Sequence, residues 1–389
     1  MKNIVLIFFF IFSTLNHNDL FACTVFYAAK GNIVLAGNNE DFINTEAYIQ
    51  FLPAKDGKLG RIYFGFFYEP TKMSTFGGVN EQGLFYDVAA LDAIELKEIP
   101  EGELYNGNIM EKIMEECSTV EEVIDLIHKY SNFLYITNGQ VMFGDKFGNS
   151  VIIETEKILK KDGTYQIMTN FRQTDEELKK GNIPCERYKI ANSLLKESPE
   201  ISKDLFQKVL ESVHQEGWYA TVYSNVYDLK NGIIYLYYFH NFFEEVQLDV
   251  LNELAKGERI VKISSLFNNN FAAKAYIDWK NWELENRKQN RIAKNFDTKI
   301  IDEYIGKYLV CFYPTKDSLK VINDNGKMVI VFSDTLKIEV FPESNSKFFV
   351  ATLNGDYEFT FNTFEAENKV FLKIKPTEFG TESTWEKVF

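Results

Sequence analysis

The stretch that most constrains the fold is residues 23–42, which have the pattern of two strands joined by a tight turn. The two strand-like runs, 23–29 and 33–36, flank the turn signal Lys-Gly-Asn. This pattern predicts a β-hairpin. A hairpin returns the chain to its starting level, so we expect the Asp41 carboxylate to lie close to Cys23.

The residues before Cys23 have the features of a signal peptide. A basic start at Lys2 is followed by about a dozen mostly apolar residues at 4–15, and the small Ala22 directly precedes Cys23. The apolar run is shorter than the roughly 20 residues that a membrane span needs. The sequence therefore predicts that residues 1–22 are a signal peptide and that the protein is exported, periplasmic or extracellular.

Removal of that segment would make Cys23 the first residue and give it a free α-amine beside its thiol. An α-amino group has a pKa of about 7.7–8.0 and a thiol about 8.5, so the amine can accept the thiol proton near neutral pH. The thiolate is the reactive form of cysteine, and an adjacent base is one way to generate it. The position of Cys23 thus predicts a nucleophile that carries its own base.

Two other interpretations of Cys23 stay open from this segment alone. The sequence Leu-Phe-Ala-Cys at 20–23 is also typical of a lipoprotein cleavage site, which would make the chain a lipid-anchored surface binding protein. The polar residues 16–19 stand against this interpretation, since a lipoprotein site normally follows the apolar run directly. The other interpretation is a buried thiol without a catalytic role.

Charge and composition argue against several classes of function. The chain has 389 residues, a formal net charge of −14 and a pI near 5.0, which argues against nucleic acid and anionic membrane surfaces as partners. Its four cysteines and four histidines lack the spacing of a zinc site, so we expect no metal and no cofactor. A disulfide between Cys117 and Cys185 stays open.

The chain after the hairpin alternates runs of strands with pairs of helices. This order is typical of the α+β class, with antiparallel sheets covered by helices, rather than of strict β-α-β units. A capping box at Ser118 and Glu121 predicts the start of one helix. A densely charged helical stretch at about 272–294 predicts a linker, and short alternating strands follow at 295–389.

Five short motifs occur in the order found in one family of enzymes. They are CTVF at 23–26 with GNNEDF at 37–42, GGVNEQGL at 77–84, FGD and GNS within 143–150, MTN at 168–170 and CERY at 185–188. Together they resemble the linear amide C–N hydrolases, which include choloylglycine (bile salt) hydrolases and penicillin V acylases. The resemblance covers residues 23–267. It implies an N-terminal nucleophile (Ntn) hydrolase fold, a four-layer αββα sandwich.

The resemblance also implies four catalytic residues. Cys23 matches the nucleophile, and Asp41 matches the aspartate that orients its amine and thiol. Asn170 matches the asparagine whose amide donates to the oxyanion, where one aimed donor is worth about 2.7–4 kcal/mol of barrier. Arg187 matches the active-site arginine of the family.

Two positions depart from the pattern of the bile salt hydrolases. Asn38 stands where those enzymes have an arginine, and Ala89 and Ala90 fall where they have a second oxyanion asparagine. A backbone N–H would have to complete the oxyanion hole. These departures argue against bile salts as substrate. The short core resembles the acyltransferase-like branch of the family.

The C-terminal segment carries a second, shorter resemblance. It begins with Tyr-Ile-Gly-Lys-Tyr at 304–308 and contains Phe-Pro-Glu-Ser at 341–344. These motifs resemble the small β-barrel domain appended to some serine hydrolases. We see no catalytic constellation in its sequence, so the expected role is structural or substrate-gating.

We therefore expect a hydrolase that cleaves a linear N-acyl amide through a thioester on Cys23. The expected partner is a small-molecule amide substrate, with no nucleic acid, no stable membrane insertion after processing, and a homo-oligomer left open. Two alternatives remain. One is an acyltransferase of the same fold, which passes the acyl group to an amine instead of water, and the other is the lipid-anchored binding protein.

Overall fold

The structure of the protein is a computed structural model, and it describes most of the chain beyond the N-terminal segment. The described residues are 23–69, 72–94, 102–155, 157–174, 182–268, 270–294, 296–311, 318–332, 337–351, 356–364, 369–377 and 382–388. The expected signal peptide, residues 1–22, lies outside them. The chain divides into two compact units, of which the first ends at Lys274 and the second begins at Ala275.

The first unit is built on two antiparallel sheets. Its strands are β1 Thr24–Lys30, β2 Ile33–Asp41, β3 Ala47–Leu52, β4 Arg61–Glu69, β5 Lys72–Asn80, β6 Phe85–Ala90, β7 Gly139–Gly144, β8 Ser150–Glu154, β9 Lys157–Lys160, β10 Tyr165–Met168, β11 Thr221–Asp228, β12 Ile233–Tyr238, β13 Asn241–Asp249 and β14 Arg259–Lys262. The first sheet has the order β10-β1-β2-β11-β12-β13, and the second has the order β14-β3-β4-β5-β6-β7-β8-β9.

Helices connect these strands. They are α1 Ile109–Glu116, α2 Val120–Lys129, α3 Glu186–Glu197, α4 Lys203–Val213 and α5 Val250–Ala255, with 3₁₀ turns at Ser131–Tyr135 and Ile263–Leu266. Asn108 caps α1 by accepting from two N–H groups of its first turn. A capping box formed by Thr119 and Glu122 opens α2. The box predicted at Ser118 and Glu121 is therefore one residue too early.

Successive side chains of each strand point to opposite faces of its sheet. Helices α1 and α2 share an apolar cluster with the second sheet, and α3 and α4 share another with the first. Between the sheets, the rings of Phe64 and Tyr223 lie 5.7 Å apart, and those of Phe85 and Tyr227 lie 4.8 Å apart. Helices and antiparallel sheets are thus combined in one core.

The second unit contains a closed barrel of eight antiparallel strands. The helices around it are α6 Phe271–Arg291 and α7 Ile301–Tyr304, and its strands are β15 Gly306–Val310, β16 Ser318–Asp324, β17 Lys327–Val331, β18 Lys337–Pro342, β19 Lys347–Val350, β20 Tyr357–Phe364, β21 Lys369–Pro376 and β22 Ser383–Val388. Its buried cluster is apolar and includes Tyr308, Val321 and Leu372. The barrel expected from the sequence is present. Across the described ranges, no helix is long and apolar enough to cross a membrane.

Candidate active site

The β1–β2 hairpin sets Cys23 opposite a carboxylate. Its register pairs Thr24 with Asn39, so the next pair outward is Cys23 and Glu40. Cys23 Sγ donates to Glu40 Oε1 at 3.6 Å, and the cysteine is only 5% exposed. The candidate nucleophile therefore lies at the open end of the predicted hairpin, with its sulfur turned toward an acid.

The guanidinium of Arg187 lies close to the other three residues that the resemblance implies. In the first turn of α3, Arg187 Nη1 donates to the Cys23 carbonyl oxygen at 2.6 Å and to Thr24 Oγ1 at 2.8 Å. Its Nη2 donates to Asn170 Oδ1 at 3.0 Å, and Nη1 lies 3.9 Å from Asp41 Oδ2. The planar fork of arginine suits such divided contacts. The structure thus brings the four predicted residues together.

Asn170 follows β10, and its side chain is held at both ends. Strand β10 pairs with β1, with Met168 opposite Val25, which carries Asn170 to the Cys23 end of the sheet. Its Oδ1 accepts from Arg187, and its Nδ2 donates to the Ala90 carbonyl oxygen at 3.0 Å. A carboxamide nitrogen has two N–H groups. Because one of them is bonded to Ala90, the other points in a fixed direction.

Asp41 ends β2 and is held by polar neighbours. Thr221 Oγ1 donates to Oδ1, and Gln215 Nε2 donates to Oδ2 at 3.3 Å. Burial raises the pKa of Asp41 to about 7, although the Arg187 charge and these hydrogen bonds oppose the rise. The carboxyl can therefore change its charge near neutral pH.

The Cys23 thiol lies in a buried and acidic environment. Burial raises its pKa well above the usual range, and the charges of Glu40, Asp41 and Asp87 raise it further. A hydrogen bond from the backbone N–H of Asp41 acts in the opposite direction. At neutral pH the thiol of the intact chain is therefore protonated, and a base is needed to activate it.

Glu40 and Asp87 are two site residues to which the motifs assign no role. Glu40 follows from the sequence by counting, because a hairpin that turns at residues 31–32 must pair it with Cys23. Asp87 has no such local signal, since it lies on β6 of the other sheet. A Cβ at Gly77 would lie 2.2 Å from Asp87 Oδ2, so the glycine leaves the space that the carboxyl occupies.

The remaining cysteines do not join this site. All four cysteines are free thiols, so the bridge between Cys117 and Cys185 that the sequence left open is not formed. Within the described part of the chain, no group of three or more His, Cys, Asp or Glu side chains has a geometry that could hold a metal ion.

Comparison with solved structures identifies the fold. No family model matches the chain. A variant of conjugated bile acid hydrolase from Clostridium perfringens is 17% identical with a TM-score of 0.50, over 64% of this chain and 99% of that one. Another variant of that enzyme gives 16%, a TM-score of 0.49, and 64% and 97% coverage. Penicillin V acylase from Agrobacterium tumefaciens gives 16%, 0.38, and 56% and 82%.

One curated protein also matches part of the chain. Penicillin-binding protein 4* from Bacillus subtilis (strain 168) is 24% identical over 162 residues, which is 41% of this chain. The match spans 31% of that relative, so the chain accounts for less than a third of its length.

The fold is therefore that of the Ntn hydrolases. A solved structure that supports this fold assignment is the variant of conjugated bile acid hydrolase with a TM-score of 0.50. The resemblance indicated by the sequence motifs is thus confirmed at the level of the fold. The prediction of export is wrong: the bile acid hydrolases of this fold are cytoplasmic bacterial enzymes without signal peptides, and no observation shows export of this chain.

Proposed function

We propose that the first unit is an Ntn amidohydrolase that cleaves a linear amide between an acyl group and an amine. The observation that carries the proposal is the bonding of Arg187, which joins Cys23 to Asn170 beside Asp41. A thiol, an oriented amide and a carboxylate are the groups that acyl transfer through a thioester uses. We further infer that the two sheets and their helices are layered αββα, as in an Ntn hydrolase.

The mechanism requires the removal of residues 1–22. In the intact chain the Cys23 nitrogen belongs to a peptide bond and cannot accept a proton. Once free, the α-amine has a pKa of about 7.7–8.0 and can act as the base for the thiol of the same residue. Asp41 lies on the strand paired with β1 and would orient that amine.

The catalytic cycle has two halves. The Cys23 sulfur attacks the amide carbon, the carbonyl electron pair moves to the oxygen, and Asn170 donates a hydrogen bond to that oxyanion. Collapse breaks the C–N bond, and the leaving amine takes the proton that the thiol gave up. Water then attacks the thioester with the α-amine as base, and the C–S bond breaks to release a carboxylic acid.

The substrate is a small N-acyl amide. Asn38 is uncharged, and the position expected for a second oxyanion asparagine is occupied by Ala89 and Ala90. These differences make the acyl pocket and oxyanion hole unlike those implied for bile salt hydrolases, so we propose an acyl donor other than a bile acid.

The test is a panel of N-acyl substrates on protein that begins at Cys23. The panel contains bile conjugates, penicillin V, acyl homoserine lactones and N-acyl amino acids, and mass spectrometry of the acid-quenched reaction searches for an acyl group on Cys23. We expect amine release and an acyl-Cys23 peptide, and Cys23→Ser should lower turnover by more than about 10³-fold. Cys311→Ser, at a partly buried thiol in the second unit, is the matched control and should keep full activity.

The same assay separates the alternatives. Added amine that captures the acyl group would indicate an acyltransferase. A diacylglyceryl group on Cys23 of the natural protein, or turnover that survives Cys23→Ser, would contradict the proposal.

A further inference from the structure

Two acidic side chains that the mechanism above does not use lie in the space between the sheets. Glu40 on β2 is 1% exposed, and Asp87 on β6 is fully buried. Glu40 touches the nucleophile, with Oε1 at 3.6 Å from Cys23 Sγ, and Tyr223 donates to its Oε2 at 3.5 Å. Neither oxygen of Asp87 has a partner with full hydrogen-bond geometry within the described residues, and only the backbone N–H of Val88 opposes the rise in its pKa.

In the intact chain, the two carboxyls share one environment in which neither is paired with a cationic side chain among the described residues. Among the described residues, neither carboxyl has an ion pair within 4.0 Å. Arg187 instead contacts Asp41, Asn170 and the start of β1. The titratable groups that face them are Cys23 from the start of β1, Asp41 from β2, and Tyr223 and Tyr227 from β11.

Such a pair cannot be fully ionised at neutral pH. A buried carboxylate without a cation is costly, and a second one beside it adds repulsion. Burial first, and then the charge of Asp41, raises the pKa of Glu40, while burial and then the charge of Glu40 raise that of Asp87. Both carboxyls therefore keep a proton at higher pH than an exposed carboxyl does, and their titrations are linked.

We propose that Glu40 is a second acid–base residue of this site, which exchanges a proton directly with the Cys23 sulfur, and that Asp87 is a positioning residue that sets how readily Glu40 holds that proton. This inference rests on the proposed function. Because Glu40 Oε1 contacts the sulfur, in this inference it accepts the thiol proton in place of the α-amine, and the α-amine remains the base for water.

Every proton in the two halves of the cycle has a donor and an acceptor. The S–H bond of Cys23 breaks, its proton moves to Glu40 Oε1, and the sulfur forms a bond to the substrate carbonyl carbon. When the C–N bond breaks, that proton leaves Glu40 for the amine nitrogen. In the second half, the α-amine takes a proton from the attacking water and passes it to Glu40, which returns it to the sulfur as the C–S bond breaks.

The deciding variant is Glu40→Gln, because it should leave unchanged or raise the rate at which Cys23 is alkylated and lower the rate of amide acylation. Loss of a negative charge beside Cys23 makes the thiolate easier to form, so alkylation of Cys23 by iodoacetamide should be as fast as in the wild type or faster. Loss of a proton carrier should instead slow acylation by an amide by about 10²-fold or more. Alkylation is followed at the Cys23 peptide by mass spectrometry, separately from the other three cysteines.

A second acyl donor isolates the proton-transfer step. A p-nitrophenyl ester has a leaving group that needs no proton, so Glu40→Gln should slow ester acylation less than amide acylation. Asp87→Asn keeps Glu40 in place and should shift the pH midpoint of acylation to lower values. The matched control is Glu115→Gln on α1, which removes a buried carboxylate paired with Arg61 at 2.5 Å and should change stability but not the pH profile.

The outcomes separate this inference from the proposed function. If the ester acylates Cys23 and no amide is hydrolysed, the amidase proposal fails. The pH dependence of ester acylation in the variants then still tests the acid–base role of Glu40. Unchanged or faster amide acylation in Glu40→Gln would overturn the acid–base role. Equal loss of alkylation and acylation would also overturn it, because that pattern indicates a purely structural role.

Discussion

The two units differ in whether their buried carboxylates are paired with a cation. Asp356 at the start of β20 is 6% exposed, and its oxygens lie 2.9 Å from Arg291 and 3.3 Å from Arg287. Glu40 and Asp87 in the first unit are more deeply buried, and no ion pair reaches either of them within the residues described. Pairing lowers the cost of a buried charge, whereas its absence leaves that cost in place.

The interiors differ in the same way. The barrel is filled by an apolar cluster, whereas Asn38 and Asn225 accompany the two acids between the sheets of the first unit, each at most 1% exposed. Unpaired buried polarity destabilises a fold, so its concentration around one thiol favours a catalytic role there. The barrel shows the opposite pattern, which favours a structural role.

The largest effect is expected when residues 1–22 stay attached, which tests the catalytic role assigned to the first unit. We expect a verified uncleaved chain to lose more than about 10³-fold of its amidase activity, because it has no free α-amine at Cys23. The measurement is turnover of the best panel substrate, with a chain that starts at Cys23 as the control. Full activity of the uncleaved form would remove the α-amine from the mechanism.

A second prediction compares one substitution in both units. Asn170→Ala should lower kcat by about 10²–10³-fold, since it removes an oxyanion donor. Asn323→Ala in the barrel removes an amide that donates to Asp302 at 2.9 Å and should leave kcat unchanged. A near-normal kcat in Asn170→Ala, measured at saturating substrate, would exclude that amide from the site.

The third prediction tests the paired carboxylate. Asp356→Asn should lower the free energy of unfolding of the barrel unit by about 2 kcal/mol, less than a fully buried pair costs because the arginines are partly exposed. Chemical denaturation followed by hydrogen exchange of the barrel peptides measures the loss. The kcat/KM of the amidase should not change, and a large fall would show that the barrel takes part in catalysis.

The sequence was sufficient for features that depend on local pattern. The hairpin follows from alternation and turn residues, whereas the barrel and the Ntn fold were expected from the resemblance of short motifs to known families. The β1–β2 register could have been counted to place Glu40 beside Cys23. Asp87 could not be found in this way, because it reaches the site only when two sheets pack face to face. The arrangement of Arg187 likewise depends on α3 docking against the first sheet.

The predicted destination of the protein shows another limit of local pattern. A basic start, an apolar run and a small residue before Cys23 are features of local composition only. They led to the prediction of export, which the comparison contradicts.

The last prediction is a pH dependence of stability in the first unit. The pKa of Asp41 rises from 3.8 in its ordinary state to about 7, and those of Glu40 and Asp87 also rise through burial. Between about pH 4 and 7 the folded state therefore holds more protons than the unfolded state, so the free energy of unfolding falls as pH rises. Each such group contributes up to about 1.4 kcal/mol per pH unit, and Asp87→Asn should reduce the slope by no more than that. Hydrogen exchange of β1 and β2 peptides, with barrel peptides as the internal reference, measures it. A first unit that becomes more stable from pH 4 to 7 would contradict the unpaired state of these acids, and with it the contrast between the two units.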